Sequence, residues 1–411
     1  MILTERHIIS KHHKYYRECD ELCLLSKNIY NYANYIIRQH FMESDGDLFL
    51  NEENKYLNYY FLNKHFIKTK NDDYYKLPAK VSNGTLRLLD KNWISFFKAI
   101  KKYAKNPDKF LGRPKTPSYK HSTQGRCVTI YEKGAISLKK LKKGILKLSK
   151  TNIELKLQSV NSQNIQSARI VPNKNDHYVI EIMYTVDEKI LDTQENNTIL
   201  GIDIGVNNLG ALVTTEGDSL LINGKPLKSI NQYYNKSMAK LRRSRNKEET
   251  LYTKKMKKLT MKRDNKINDY LHKASNHIVK YCLTKKIGAI VIGKNDLWKQ
   301  KVKMGKKNNQ KFVDIPFAKF INVITYKAKL EGIIVIETEE SYTSKCSFVD
   351  DESLNYHKKY LGKRVNRGTF KSKDGILINS DIQGALNIIR KVVPLFNFDY
   401  LKSISELWNR G

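Results

Sequence analysis

Carboxylates set into apolar surroundings are the residues of this chain best suited to chemistry. Asp203 interrupts the β-like run Asn197-Thr-Ile-Leu-Gly-Ile-Asp-Ile-Gly-Val206, Glu337, Glu339 and Glu340 lie at and just beyond the end of Gly332-Ile-Ile-Val-Ile-Glu337, and Asp381 opens the helical segment Ile378–Arg390. An ionised Asp in a buried strand is costly unless it is paired or coordinates a metal. Gly205, two residues on, lets backbone or ligand approach closely. Hard oxygen ligands gathered from separate elements are what divalent ions require, and two such ions bridged by a phosphate form a phosphodiester-hydrolysing centre. Each acid alone has a plainer role. Asp203 can cap the turn that follows it, Asp381 suits a helix N-terminus, and acidic loop residues are ordinarily solvated. Their joint placement, at strand ends and a helix start, is harder to dismiss.

The elements that must position these acids follow from periodicity. After Asp203 the order reads strand, strand, long helix, strand, helix, strand, insertion, helix. Gly288-Ala-Ile-Val-Ile-Gly293 and Gly332–Glu337 are short continuous apolar runs of the kind buried on both faces, which predicts an α/β sheet with mixed strands. Asn231 to Lys286 reads as a long, very basic helical region. Ahead of the sheet, residues 14–105 carry apolar residues at helical spacing in Leu22–Ile37 and Leu86–Ile100, predicting a small bundle. Tyrosines interleaved with Lys and Arg there suit stacking on bases, although many must be core residues with a bonded hydroxyl. Gly112-Arg-Pro-Lys-Thr-Pro117 stops the helices and leaves Arg113 and Lys115 exposed. From Cys127 to Thr185 short β-like runs alternate with polar turns, as in an antiparallel barrel or sandwich, and the polar stretch Asp192–Asn197 marks a boundary.

Charge narrows the partners. The 411 residues contain 75 Lys and Arg against 41 Asp and Glu, a formal charge of +34 that a compact protein tolerates best beside a polyanion, so nucleic acid leads. A membrane partner is not expected, since no apolar stretch is long enough to span one. The opening residues Met1–Ile8 lack a secretory apolar region. The five cysteines are odd in number and scattered, which points to a reducing cytoplasm, and a nucleoid-associated place there is expected. Cys19 and Cys23, four apart and near His12 and His13, are better read as one helix face than as half of a zinc site.

Four motifs in order, Gly201-Ile-Asp-Ile-Gly-Val-Asn-Asn-Leu209, Ile290-Val-Ile, Tyr342-Thr-Ser-Lys345 and Asp381-Ile-Gln-Gly-Ala-Leu-Asn-Ile388, resemble the RuvC-like nuclease of TnpB. TnpB is the transposon-encoded (OrfB) RNA-guided DNA endonuclease ancestral to type V CRISPR effectors. Leu77-Pro-Ala-Lys-Val81, Leu86–Ile100 and Gly112-Arg-Pro-Lys115 resemble its N-terminal recognition part and the exit into a wedge barrel. The resemblance implies a multidomain α+β protein: residues 1–13 as the first wedge strand, 14–112 as a helical recognition domain, 113–192 as the wedge β-barrel, and 193–411 as a RuvC/RNase H-like α/β nuclease domain. That last domain would carry a basic helical insertion at about 231–286 and a zinc-less insertion at about 343–378. It further implies a guide RNA and double-stranded target DNA as partners, two Mg²⁺ ions held by Asp203, Glu340 and Asp381, and Asn387 supporting them from one helix face. Arg242, Arg243, Arg245, Lys254, Lys255, Lys257, Lys258, Lys262 and Arg263 would follow nucleic-acid phosphates, as would Arg113 and Lys115. The Gly-containing run Lys299–Lys307 would be a loop at the mouth of the site.

Two departures from the family pattern matter. Gly293 stands where the second acid is expected, so either Glu340 or Glu339 has taken over that role, with Glu340 preferred and Asp296 a poorer third choice, or the protein binds DNA without cutting it, as a repressor would. The paired CxxC motifs of many relatives are also missing; only Cys346 and His357 occur in that segment, and zinc is not expected. A transposase working through a covalent intermediate is a more distant alternative.

Overall fold

The computed structural model describes residues 1–43, 56–158, 164–173, 176–187, 189, 197–244, 252–295, 310, 313–405 and 408. The chain divides into two compact units, Met1–Val186 and Asp187–Gly411.

In the first unit the predicted helices form where the apolar spacing places them. Helix α1 (Tyr16–Glu43) buries Cys19, Leu22, Cys23, Ile29, Ala33 and Ile37 along one face. Beyond α2 (Tyr59–Lys68) and α3 (Asp72–Lys76), Pro78 precedes α4 (Ala79–Lys105), whose buried face runs Val81, Leu86, Leu89, Trp93, Phe96 and Ile100. Trp93 brings a polar atom into that core, and its Nε1 donates to Asn34 Oδ1 of α1 at 2.9 Å. Strands β1 (Ile2–Ile9), β2 (Thr129–Glu132), β5 (Ile165–Asn173) and β6 (His177–Thr185) form a four-stranded antiparallel sheet in the order β1-β6-β5-β2. The turn α5 (Leu138–Leu141) precedes a separate ribbon, β3 (Ile145–Lys147) with β4 (Glu154–Lys156). Among the described residues the pairing does not close into a ring. Cys19 and Cys23 point into this core. Burial pushes the Cys19 thiol up to about 12 and raises that of Cys23 as well, and Cys23 Sγ donates to Ile170 O at 3.7 Å.

The second unit is built on a five-stranded sheet. Strands β7 (Thr198–Asp203), β8 (Asn208–Thr214) and β9 (Ser219–Asn223) form an antiparallel meander. The helices α6 (Lys225–Arg243) and α7 (Lys254–Thr284) then lead to β10 (Ile287–Lys294), which returns parallel to β7. After α8 (Phe317–Leu330), β11 (Ile334–Glu339) pairs parallel to β10, giving the order β11-β10-β7-β8-β9. This is the RNase H-like arrangement. On one face Leu200, Ile202, Leu212, Ile290 and Ile292 pack with apolar residues of α7 and α8. On the other, Ala211 and Val213 pack with Ile382, Ala385, Leu386 and Ile389 of α9 (Ser380–Val392). No described helix is long and apolar enough to cross a membrane.

The basic region read as about Asn231 to Lys286 begins at Lys225 and carries two helices, α6 and α7. One expectation needs correction. The Gly332–Glu337 run is not buried on both faces: among the described residues β11 is the last strand of the sheet, hydrogen-bonded only to β10, and Ile334 and Ile336 are 52% and 37% exposed. An apolar run signals strand propensity but does not tell a central strand from an edge one.

Between β11 and α9 lies an insertion holding the small antiparallel sheet of β12 (Lys363–Arg364), β13 (Thr369–Lys371) and β14 (Leu377–Asn379). Its loop is pinned by a buried carboxylate. Glu352 Oε2 accepts from the Ser347 N–H at 2.7 Å and Oε1 from the Leu361 N–H at 2.8 Å, while Phe348 and Phe370 supply the apolar contacts. A short last helix, α10 (Asp399–Ser403), packs Leu401 against the same apolar cluster.

Candidate active site

Asp203 ends β7, the central strand, beside β10 and opposite Ala211 of β8. Its carboxylate lies directly over Gly384, where a Cβ would meet Asp203 Oδ2 at 2.5 Å. Any larger residue at that position of α9 would push the carboxylate aside.

Glu340 follows the last residue of β11. The parallel register sets Gly293 opposite Thr338 and Lys294 opposite Glu339, so Glu340 continues just past the end of β10. A Cβ at Gly293 would stand 3.5 Å from Glu340 Cβ and 2.5 Å from Ile388 Cδ1. The two positions therefore face the same place, and Ile388 occupies the space that a side chain at 293 would need. The turn after Glu340 is fixed from several directions. Thr343 Oγ1 donates to Glu340 O at 2.8 Å, and Tyr342 adopts a φ of +64°, a conformation disfavoured for a bulky residue and kept where the surroundings enforce it. Asn387 of α9 donates to the carbonyls of Thr343 and Cys346, both at 2.8 Å, and Gln383 to that of Cys346 at 3.1 Å. Asn387 thus holds the turn that carries Glu340. Glu339 points elsewhere: it is 64% exposed and accepts from Ser341 and from Lys391 at 3.1 Å, bonds that lower its pKa. Glu337 pairs with Lys294 at 2.8 Å.

Asp381 sits in the first turn of α9, whose N-cap Asn379 accepts from the Asp381 and Ile382 amides at 2.9 and 3.2 Å. Acids are favoured there by the helix dipole. Asp381 Oδ2 accepts from Asn208 Nδ2 at 2.9 Å, and Arg364 of β12 stands 3.9 Å from Oδ1.

Electrostatics joins the three acids. The Asp203 carboxyl is pushed from 3.8 up to about 8, first by burial, then by the charges of Asp381 and of Glu340, against weaker opposition from Arg364 and the Ile204 N–H. Like charges that cannot all stay ionised, in oxygen-only surroundings, suit a hard divalent cation. Among the described residues no three Asp, Glu, His or Cys side chains stand at the spacing of a ready-made metal cage.

Arg113 and Lys115 are exposed beyond the end of α4. Arg242 and Arg243 lie in the last turn of α6, and Lys254, Lys255, Lys257, Lys258, Lys262 and Arg263 line up on α7. Arg263 is partly engaged within the protein, donating to Asn231 Oδ1 at 2.7 Å and to Asp314 O at 3.0 Å. Arg245, Asp296 and the run Lys299–Lys307 lie outside the described residues. Sequence reasoning passed over the roles of Asn208, Arg364 and Gly384. Gly384, at Asp381 plus three on a helix, carried a readable sign, since a glycine inside a helix usually marks a close approach. Asn208 and Arg364 are placed only by the meander and by the insertion, and carried none.

Comparison with known proteins agrees with this geometry. A family described as "Probable transposase" (OrfB_IS605) matches residues 181–298, and the "Cas12f1-like, TNB domain" matches residues 317–388. In sequence the chain is similar to TnpB and Cas12f proteins. Among curated proteins, the "TnpB-like protein ORF457" of Acidianus two-tailed virus is 25% identical over 226 residues, covering 51% of this chain and 45% of that protein. The "CRISPR-associated endodeoxyribonuclease Cas12f2" of a Micrarchaeota archaeon is 26% identical over 234 residues, covering 54% of this chain and 42% of that protein. These matches span less than half the length of either relative. In fold, the chain resembles Cas12f1 as solved with sgRNA and target DNA, with a TM-score of 0.54 at 16% identity over 92% of this chain and 82% of that one. It also resembles the mini-RNA-guided endonuclease CRISPR-Cas_phi3, with a TM-score of 0.50 at 10% identity over 96% and 92%. The expected multidomain α+β architecture is therefore the observed one.

Proposed function

We propose that this chain is an RNA-guided DNA endonuclease of transposon origin that hydrolyses phosphodiesters at Asp203, Glu340 and Asp381. The observation that carries the proposal is the position of Glu340. Its Cβ lies 3.5 Å from where a side chain at Gly293 would begin, and its charge acts on Asp203 together with that of Asp381. The family's missing acid is thus supplied from the neighbouring strand end, which weighs against the nuclease-inactive alternative that Gly293 suggested. Sequence matches to TnpB-like and Cas12f proteins support the reading.

The three acids would hold two Mg²⁺ ions, which when bound supply Lewis acidity to the attacked phosphate and lower the pKa of water. The chain's own residues do the positioning. Asn208 fixes one oxygen of Asp381, leaving the other turned toward Arg364. Gly384 sets the depth at which Asp203 can sit, and the Asn387-braced turn holds Glu340 at the end of β11. Arg364, on the rim, is placed to receive the anionic phosphate that enters. A guide RNA would choose the target by base pairing, while the basic helices follow backbone phosphates.

The test is Mg²⁺-dependent cleavage of a plasmid library by the protein purified with its co-expressed RNA, beside Asp203→Ala and Glu340→Ala. Loss of cleavage in both variants supports the site. Cleavage that survives Glu340→Ala removes the relocated glutamate, and guide-dependent binding without cleavage by the wild type removes the nuclease.

A further inference from the structure

Helices α6 and α7 enclose a cleft of about 750 Å³ that the proposed reaction does not use. Its inner wall is built and fixed. The ring of Tyr234 lies under the Arg263 guanidinium at 5.0 Å, its hydroxyl bonds Thr260 at 3.2 Å, and Arg263 is anchored to Asn231 and to the Asp314 carbonyl. Its mouth is the opposite. Tyr233 is 68% exposed and has no ring or hydrogen-bond partner among the described residues. Lys240 of α6 and Lys258 and Lys262 of α7 line the same cleft, and none of them meets a carboxylate among the described residues. Lys258 and Lys262 are one turn apart, where like charges weaken a helix unless an anion lies between them. Leu241 and Leu259 give the cleft apolar surface.

A free aromatic face, apolar surface and cations at the mouth match one ligand chemistry: an unstacked base with phosphates on either side. The volume falls within the range of small-ligand sites and is too confined for a duplex. We infer that the α6/α7 cleft captures a single unpaired nucleotide of the bound RNA, its base on Tyr233 and its flanking phosphates on Lys240, Lys258 and Lys262. Folded RNA offers bulged nucleotides already out of the stack, whereas a DNA strand paired to a guide would have to give up a base pair to enter. The inference rests on the RNA-binding part of the proposed function and adds a place where RNA shape, rather than charge alone, is read.

The full-length chain would be titrated with three fluorescent probes: an RNA hairpin with one bulged 2-aminopurine, the same hairpin with that base paired to uracil, and a single-stranded DNA carrying it. The expected result is that the bulged RNA binds about tenfold tighter than the paired one, with its fluorescence quenched on binding, as loss or gain of one stacked base allows. Tyr233→Ala should abolish both the preference and the quenching, and Tyr233→Phe should keep them. Lys258→Gln and Lys262→Gln should weaken both hairpins. No preference in the wild type, an unchanged preference in Tyr233→Ala, or stronger capture of the DNA probe overturns the inference. Bulge preference in a chain that cuts no DNA would sink the endonuclease reading alone, and intact cleavage with no bulge preference would sink this one alone.

Discussion

At the end of β7 the charges of Asp381 and Glu340 act on Asp203, with Arg364 as a distant counter-ion, 3.9 Å from Asp381. Across α6 and α7 the lysines of the cleft find no carboxylate among the described residues. Both regions concentrate charge of one sign, and each points to a ligand of the opposite sign. They differ in how the charge is assembled. The acids come from a strand end, a braced turn and a helix start, so each depends on the register of a different element. The lysines come from helical periodicity on two long helices, so losing one leaves the others in place. Convergent charge makes a site that single substitutions destroy, whereas distributed charge makes a surface that they merely weaken.

The sharpest test of that contrast is at the acids. Asp203→Ala and Glu340→Gln should each lower the cleavage rate on the order of 10³-fold, the upper range for losing one preorganised electrostatic group. Glu339→Gln should stay within about twofold in the same assay, because its partners are Ser341 and Lys391 on the exposed side. An equal loss in Glu339→Gln would break the comparison. Next in size is Gly384→Ala, whose added methyl would meet Asp203 Oδ2 at 2.5 Å. Single-turnover cleavage should fall about 100-fold, the penalty for a displacement of about 1 Å, with binding of guide and target unchanged.

A third effect concerns stability without metal. Because the Asp203 carboxyl is raised from 3.8 to about 8, the native state holds a proton that the unfolded chain has released between those values. Stability of the metal-free protein should therefore fall as pH rises from about 4 toward 8. Asp203→Asn should remove that slope and raise the Tm at pH 8 by about 2–8 °C, with a smaller gain at pH 5, as scanning calorimetry in EDTA would read. A Tm gain that is the same at both pH values would place the strain elsewhere. The smallest effects belong to the lysines. Lys258→Gln should reduce nucleic-acid affinity by a few-fold and lower the slope of log affinity against log salt by about one, as expected for one phosphate contact. A collapse of binding from that single change would mean that the cleft, too, is a convergent site.

Legibility followed the same division. The buried pattern of Leu200, Ile202, Ile290 and Ile292 was readable because alternating and continuous apolar runs report burial directly. The helix spacing of α1 and α4 was readable for the same reason. Position at the edge of the sheet was not, which is why β11 turned out more exposed than its apolar run suggested. Between Glu339 and Glu340 the local sequence offers no decision. The last residue of a strand and the one after it point to opposite sides, and which side faces Asp203 depends on pairing with β10 and on the turn that Asn387 braces.

Composition by itself pointed to a polyanionic partner, since the 75 Lys and Arg against 41 Asp and Glu leave a formal charge of +34 whatever the fold. Local sequence determined the strands and helices and marked Asp203 and Asp381 as acids in unusual places. Only the tertiary structure decided that Glu340 stands beside Gly293, that Gly384 makes room for Asp203, and that the lysines of α6 and α7 line one cleft. Each of those is a contact between residues far apart in the chain or on different elements, and such contacts are fixed by register and packing, which no local pattern encodes.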